Sequence, residues 1–308
     1  MHEEIEVLDK RIEGRNEWLE RVKNMSDKEL ERQQKSWRHL VSLAACADAA
    51  YGTDINKKLE DSGFVETTEK KYDSIIQKYS TGKDGFQCHL FENSEGKYIL
   101  AFRGTEFKGE PIKDGKADVK GAITNKDPQT QAAINVTKDL IAAGIDPKDI
   151  QLTGHSLGGR LAAESAISNK LTAYTFNSAG ISDETRKEIV ANNSYYEGKV
   201  INILSSNEPL NKVQNTISSL TANEYVNNDF VNSINNKYTK KIASALGGGP
   251  IVHAQGKDIR TIGGNLVIEE AYGKDKDEAH SISFLRQSIE QRYSDINKTY
   301  ITTSNQGK

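Results

Sequence analysis

The sequence predicts an α/β fold in which helices cover both faces of a largely parallel sheet. From residue 85 onward, short apolar segments typical of strands alternate with longer segments typical of helices. This alternation is the pattern of strand–helix–strand units, whose strands pair in parallel. The chain has 308 residues, which is long enough to bury a substantial core, and it contains no internal repeat.

Residues 1–50 are predicted to form two helices that precede the sheet. The second helix begins at a capping-box pattern, in which Ser26 is followed three residues later by Glu29. The first helix carries an apolar row at helical spacing, interrupted by Arg15 and formed by Ile5, Leu8, Ile12, Leu19 and Val22. Because short apolar rows usually face a core, we expect a helical hairpin packed on the main domain. A docking helix for a protein partner is the alternative.

The elements of the main domain follow in order. Two strands flank the turn sequence NSEG, which indicates a hairpin. A helix is predicted next, because Ala133, Val136, Leu140 and Ile141 share one helical face. The predicted strands lie at 86–92, 97–104, 149–154, 171–177, 199–205, 259–262 and 265–270, and a helix follows His280.

The domain organisation predicted from these elements has three parts. Residues 1–50 form the N-terminal helical segment, residues 51–300 the main domain, and residues 301–308 a tail. Residues 211–257 are rich in Asn, Ser and Lys and end near the glycine-rich ALGGGP, so they are predicted to form an insertion in the main domain.

Composition and charge exclude several classes of function. The net charge of −3 and the pI near 6.1 provide no basic surface for nucleic acid. No apolar run is long enough for a membrane span, and the acidic N-terminus does not resemble a secretory signal. We therefore expect a cytoplasmic protein, or one exported by a dedicated secretion system. Cys46 and Cys88 lack metal-ligand spacing and are predicted to be free thiols.

The stretch DIQLTGHSLGGRLA (149–162) places a serine between two glycines where a predicted strand gives way to a helix. A nucleophile at such a turn must stand clear of its neighbours. Side chains two positions away would collide with the adjoining strand and helix, so Gly154 and Gly158 fit the nucleophile elbow G-x-S-x-G. The helix that follows adds free N–H groups and a positive dipole end beside the serine. We expect Ser156 to be exposed at this turn.

Two motifs together resemble a known family. LTGHSLGGRLA and the upstream YILAFRGTE are similar to the class 3 lipases of the α/β-hydrolase fold, and the resemblance covers roughly residues 40–290. It implies a lipid ester substrate. It also implies an oxyanion hole with one donor at Thr105, through its backbone N–H and its hydroxyl. The second donor is expected to be the backbone N–H of Leu157, directly after the nucleophile.

The catalytic base is expected downstream of the serine, because the chain order in this fold is serine, acid, histidine. Only His253 and His280 lie there. His280, in DEAHSISFL, resembles the terminal histidine motif of the family, whereas His253 falls in the predicted insertion. His155 adjoins Ser156, but adjacent side chains diverge at such a turn. We therefore predict His280 as the base.

The acid of the family is an aspartate in an Asn-Asp-Pro-like turn beyond the second strand after the elbow. In this chain the corresponding stretch is ILSSNEPLNKV, so the resemblance places Glu208 there. This departs from the family pattern by one methylene, although glutamate serves in some α/β-hydrolases. Asp183 comes too early in the chain, and Asp277 and Glu278 are interpreted as solvated loop charges.

These observations predict a serine carboxylester hydrolase that cleaves phospholipid or acylglycerol esters with a Ser156–Glu208–His280 triad. No cofactor or metal is expected, because the sequence lacks metal-binding and phosphate-binding motifs. Residues 106–127 hold five lysines and five acidic residues, which favours a charged membrane surface or small esters over triglyceride. Two alternatives stay open: an injected phospholipase toxin that uses its N-terminal helices as an adaptor, and a non-catalytic hydrolase-like binding module.

Overall fold

The computed structural model describes residues 2–80, 85–104, 128–180, 200–208 and 265–306. Within them, eight helices flank one seven-stranded sheet. The helices are α1 (His2–Lys23), α2 (Asp27–Ala49), α3 (Ile55–Leu59), α4 (Lys70–Tyr79), α5 (Pro128–Ala142), α6 (Leu157–Asn169), α7 (Lys276–His280) and α8 (Ile282–Gln306). The strands are β1 (Phe64–Glu66), β2 (Cys88–Asn93), β3 (Tyr98–Phe102), β4 (Ile150–His155), β5 (Ala173–Phe176), β6 (Val200–Ser205) and β7 (Asn265–Ile268).

The sheet confirms the predicted α/β class. Its strands are neighbours in chain order, with β1, β2 and β3 antiparallel and β3 to β7 parallel. The predicted hairpin joins β2 to β3, and its turn contains Gly96 at a positive φ of 72°. Because β3 to β7 are parallel, their carboxyl ends meet at one edge of the sheet. That edge is where open α/β sheets bind ligands.

Alternating side chains of the strands fill two cores, one on each face of the sheet. Leu100 and Leu152 belong to the core under α4, α5 and α6. Ile99 and Ala101 point to the other face and belong to the core under α1, α2 and α8. Helices therefore cover both faces, as the sequence predicts.

The N-terminal capping prediction is also confirmed. Ser26 caps α2, where its Oγ accepts a hydrogen bond from the N–H of Glu29 at 3.3 Å. The strand predicted at 259–262 and the insertion predicted at 211–257 lie outside the described residues. The structure contains three elements between residues 55 and 79 that the sequence patterns do not indicate, namely α3, β1 and α4.

The predicted packing face of α1 is wrong. Ile5, Leu8, Ile12 and Leu19 are 42–57% exposed, and only Val22 of that row is buried. The helix packs instead through Trp18, which is buried, and through arginines that reach other elements. Arg15 pairs with Asp295 of α8, and the Trp18 Nε1–H donates to the same carboxylate at 3.1 Å. Polar and aromatic contacts, which an apolar-row pattern cannot detect, therefore orient this helix.

Close backbone contact supports the same orientation of α1. A Cβ atom at Gly14 would lie 2.6 Å from the backbone of both Glu269 and Glu270, directly after β7. Next to this contact, Arg292 of α8 pairs with both glutamates, and its guanidinium lies 4.4 Å from the ring centre of Trp18.

The helices of the described residues include no candidate for a membrane span, since none combines the required length with sufficient hydrophobicity.

Candidate active site

Ser156 stands in a strained turn between β4 and α6. Its φ of 56° and ψ of −124° lie outside the ordinary regions for a residue with a side chain. The turn brings the backbone of the helix and the neighbouring strand very close. A Cβ atom at Gly154 would overlap the carbonyl of Gly158, and a Cβ atom at Gly158 would overlap the carbonyl of Phe102 in β3. Both glycines of the G-x-S-x-G motif are therefore sterically required.

The expectation that Ser156 is exposed is wrong, because only 6% of its surface is accessible. Its hydroxyl faces His280, which is itself 5% exposed. The distance from Ser156 Oγ to His280 Nε2 is 2.9 Å. The turn holds the hydroxyl against another buried group instead of presenting it to water.

Glu208 meets the other nitrogen of the same imidazole. Its Oε1 lies 2.7 Å from His280 Nδ1, and the glutamate is 1% exposed. It follows β6 by three residues, at the carboxyl edge of the sheet. The three residues that the sequence singled out thus form one hydrogen-bonded row. A carboxylate can only accept, so Nδ1 carries the proton and Nε2 is left to accept from the serine hydroxyl.

The segment before His280 is more ordered than the sequence indicates. His280 is the last residue of α7, and α8 begins two residues later, so the predicted following helix is present. Asp275 caps α7 by accepting from the N–H of Glu278 at 2.8 Å. Glu278 is not a solvated loop charge, because it accepts from Arg11 of α1 and from the N–H of Lys274. The histidine is therefore carried by a capped, salt-bridged turn.

Of the two predicted oxyanion donors, only Leu157 lies within the described residues. Leu157 is the first residue of α6, where backbone N–H groups have no acceptor inside the helix. Thr105 lies outside the described residues, but Gly104 precedes it and passes beside the elbow. A Cβ atom at Gly104 would lie 2.6 Å from the backbone oxygen of His155 and 2.5 Å from Tyr51 Oη.

His155 does not contact the serine hydroxyl through its ring, in agreement with its exclusion as the base. Its Nδ1 lies 2.7 Å from Tyr51 Oη and its Nε2 lies 2.6 Å from the backbone oxygen of His280. Burial, together with the neighbouring His280, lowers the pKa of His155 to about 3. The residue is therefore neutral at ordinary pH.

Three polar residues around the site were not identified from the sequence as functional: the partly buried Tyr51 and the buried His155 and Asn177. Asn177 ends the stretch LTAYTFN and is fully buried beside the main chain of His280. A polar residue at the carboxyl end of a buried strand is the one signal that could have indicated it. Tyr51 follows a helix at a great sequence distance from the elbow, so no local pattern indicates it.

Metal and redox sites are not evident in the described residues. No group of three or more His, Cys, Asp or Glu that could hold a metal ion occurs among them. Cys46 and Cys88 are free, as predicted, and both are buried. Burial raises the pKa of the Cys88 thiol to about 12. Neither thiol is suited to nucleophilic chemistry.

Comparison with known proteins gives three findings. The family profile described as a Tle-like phospholipase domain matches residues 42–272. An extracellular phospholipase A1 from Serratia liquefaciens is 39% identical over 101 residues, which span 33% of this chain and 30% of the relative. The extracellular lipase LipA from Serratia marcescens aligns over 55% of this chain and 39% of its own, with 13% identity and a TM-score of 0.34. Each alignment thus spans less than half of the relative.

Proposed function

Because the chain belongs to the family of Tle-like phospholipase domains, we propose that it hydrolyses acyl esters of lipids, with phospholipids as the preferred class. The family match covers the elbow and Glu208, and His280 follows it by eight residues. The name of the Serratia liquefaciens relative, a phospholipase A1, supports the same substrate class. The reaction is carboxylic ester hydrolysis through an acyl-enzyme.

In the proposed mechanism, Ser156 attacks the ester carbonyl while His280 accepts the hydroxyl proton at Nε2. His280 then donates this proton to the leaving alcohol. In the second half-reaction, His280 takes a proton from water and the water attacks the acyl-enzyme. His280 then returns this proton to Ser156 Oγ as the fatty acid leaves. Glu208 keeps the proton on Nδ1 and stabilises the imidazolium that forms. This assignment is supported by the distances of 2.9 Å and 2.7 Å on the two sides of the ring.

The oxyanion of the tetrahedral intermediate is proposed to bind the backbone N–H groups of Leu157 and Thr105. The position of Leu157 at the first turn of α6 supports its role, since that turn combines free N–H groups with the positive end of the helix dipole. The passage of Gly104 beside the elbow supports the role of the following residue. Thr105→Ala retains the N–H and tests the hydroxyl alone.

The proposal depends mainly on the hydrogen-bonded row of Ser156, His280 and Glu208. Hydrolysis of phospholipid vesicles tests the proposal. Fatty-acid release is measured from phosphatidylcholine vesicles and, side by side, from a triolein emulsion. We expect faster release from the vesicles, because residues 106–127 balance five lysines with five acidic residues and suit a charged surface. Ser156→Ala should reduce release to background, whereas Ser36→Ala, at an exposed helix position, should not change it. Faster release from triolein would overturn the substrate class.

A non-catalytic binding module is the rival interpretation, and covalent labelling separates the two. A fluorophosphonate reacts with a serine whose hydroxyl is activated by a base. Labelling of wild type at Ser156, and none in Ser156→Ala, is the expected result. If the wild-type protein stays unlabelled while folded, the hydrolase mechanism is rejected.

A protein partner that docks on α1 is a second proposal, favoured by the exposed apolar row of that helix. Ile5, Leu8, Ile12 and Leu19 line one side of it. Beside them runs an exposed acidic row at helical spacing, made of Glu6, Asp9, Glu13, Glu17 and Glu20. The complementary partner has an apolar surface bordered by basic residues. In this proposal the N-terminal helices act as the adaptor of an injected toxin.

This second proposal is tested with proteins encoded next to the gene of this chain. Binding of each purified candidate is measured with wild type and with a Leu8→Ser, Ile12→Ser variant. Both changed side chains are exposed, so folding and ester hydrolysis should be retained while binding is lost. Equal binding of the variant would remove α1 from the interface.

A further inference from the structure

The main chain of His280 is held by two buried side chains. Its carbonyl oxygen lies 2.6 Å from His155 Nε2 and 3.2 Å from Asn177 Nδ2. Asn177 Nδ2 also lies 3.1 Å from the carbonyl oxygen of Ala279. A carbonyl oxygen has two lone pairs, so both donors can bond to it at once. This carbonyl is one bond from the Cα atom that carries the imidazole.

The hydrogen bond from His155 requires one tautomer of its ring. The carbonyl can only accept, so Nε2 of His155 must carry the proton. Nδ1 is then an acceptor, and the hydroxyl of Tyr51 donates to it at 2.7 Å. This bond fixes the orientation of the ring, and burial of His155 keeps it neutral. Tyr51 therefore sets the direction in which His155 donates.

Asn177 contacts both the strand that leads to Glu208 and the turn that carries His280. It follows β5 with a φ of 42°, a region that asparagine tolerates better than most residues. Its backbone N–H donates to Ile203 of β6 at 2.9 Å, and its Oδ1 accepts from the N–H of Ser205 at 3.0 Å. Ser205 ends β6, three residues before Glu208. One side chain thus contacts both the strand that leads to Glu208 and the turn that carries His280.

We propose that His155 and Asn177 are positioning residues, which fix the main chain of His280 so that its imidazole reaches Ser156 and Glu208 together. This inference rests on the proposed hydrolase function and adds residues to it. The imidazole must keep two hydrogen bonds on opposite sides, so a small shift of its Cα weakens at least one. A misplacement of about 1 Å typically reduces the rate about a hundred-fold.

Steady-state hydrolysis of p-nitrophenyl butyrate by matched variants tests the proposal. Asn177→Asp keeps the size and the acceptor for Ser205 but replaces the donor with a carboxylate that faces two carbonyl oxygens. We expect kcat to fall about a hundred-fold with KM within about three-fold of wild type. Asn169→Asp makes the same chemical change at the end of α6, where the amide bonds to Ser165, and should keep the wild-type kcat.

Variants of His155 provide a rescue test that does not depend on Asn177. His155→Phe fills the same space without a donor and should lower kcat by a similar factor. His155→Gln can again donate to the carbonyl of His280, so it should regain at least about ten-fold of that loss. If Gln and Phe give the same kcat, or if both keep wild-type activity, His155 does not position His280.

A spectroscopic readout separates failure of this inference from failure of the proposed function. NMR of protein with nitrogen-15-labelled histidines measures how fast the proton on His280 Nδ1 exchanges with water. The hydrogen bond to Glu208 should protect this proton from exchange. The inference predicts that this proton exchanges faster in Asn177→Asp and in His155→Phe than in wild type, with unchanged circular dichroism. Unchanged exchange in both variants overturns it. Absence of hydrolysis in wild type, with faster exchange in the variants, would reject the function alone.

Discussion

Burial of His155 should make the stability of the protein depend on pH in a way that one substitution removes. The pKa of this side chain drops from 6.5 in the unfolded chain to about 3 in the folded protein. Below pH 6.5 the unfolded chain therefore binds a proton that the folded protein excludes. The contribution of His155 to the free energy of unfolding is highest above pH 6.5 and falls as the pH decreases toward 3, because protons then favour the unfolded state.

The size of the effect follows from these two values. Between pH 7 and pH 5, a single histidine with this shift lowers the free energy of unfolding by about 2 kcal/mol. His155→Gln lacks the titrating group, so its own decrease over this interval should be smaller than that of wild type by about the same amount. Groups that do not contact His155 titrate alike in both proteins, and their contributions cancel in the comparison.

Urea unfolding followed by circular dichroism at pH 7 and pH 5, at equal ionic strength, measures this difference. The variant starts from a lower stability because glutamine keeps a donor for His280 but lacks the ring nitrogen that accepts from Tyr51. Only the change with pH is compared. If wild type and variant lose the same free energy between the two pH values, His155 is protonated in the folded protein. The tautomer argument for its bond to His280 would then fail as well.

Three further predictions concern the candidate site. Glu208→Gln should lower kcat by about 10³–10⁴-fold while fluorophosphonate labelling slows in parallel, since the ring loses its anionic partner; a kcat near wild type would mean that another carboxylate holds the histidine. His280→Ala should be as inactive as the serine variant, whereas His253→Ala should stay within several-fold of wild type in the same ester assay, and the reverse order would reassign the base. Gly158→Ala should destabilise the fold by about 1–3 kcal/mol in urea unfolding, because its new Cβ overlaps the carbonyl of Phe102 in a packed core; unchanged stability would show that the elbow has room to relax.

The sheet and the elbow were predictable because each has a local signature. Apolar runs of strand length between helical segments predicted β2 to β6 within a few residues, and the turn residues predicted the hairpin. Two glycines flanking a serine predicted the elbow, and the structure supplies the steric reason at Gly154 and Gly158. In these regions, local preference and tertiary packing agree.

The orientation of α1 was not predictable from hydropathy, because its buried face is rich in charge. Arg11 and Arg15 point inward to Glu278 and Asp295, whereas isoleucine and leucine side chains point outward. Their partners lie more than 250 positions away, so no spacing rule can detect the pairing. The sequence analysis missed the elements between residues 55 and 79 for another reason. A three-residue strand and a five-residue helix are too short to show a period.

The site was predicted only in part. Ser156, Glu208 and His280 followed from motif and chain order, and the structure brings them within hydrogen-bonding distance, although their catalytic roles stay predictions. Tyr51 and Asn177 were not identified, because they act through long-range hydrogen bonds to the elbow and to the turn that carries His280. The exposure of Ser156 was mispredicted because a turn looks accessible in sequence, whereas the packing of His280 against it is tertiary.

The packing of Trp18 against Trp37 determines which part of this protein its intrinsic tryptophan fluorescence reports on. These are its two tryptophans, their ring centres lie 5.2 Å apart, and both rings lie close to the guanidinium of Arg292. The fluorescence therefore reports on the junction of α1, α2 and α8 and not on the surroundings of Ser156. An emission change that precedes the loss of circular dichroism during unfolding would mark the detachment of α1 from an otherwise folded sheet. Binding of a partner to α1 should be visible in the same signal without any added dye.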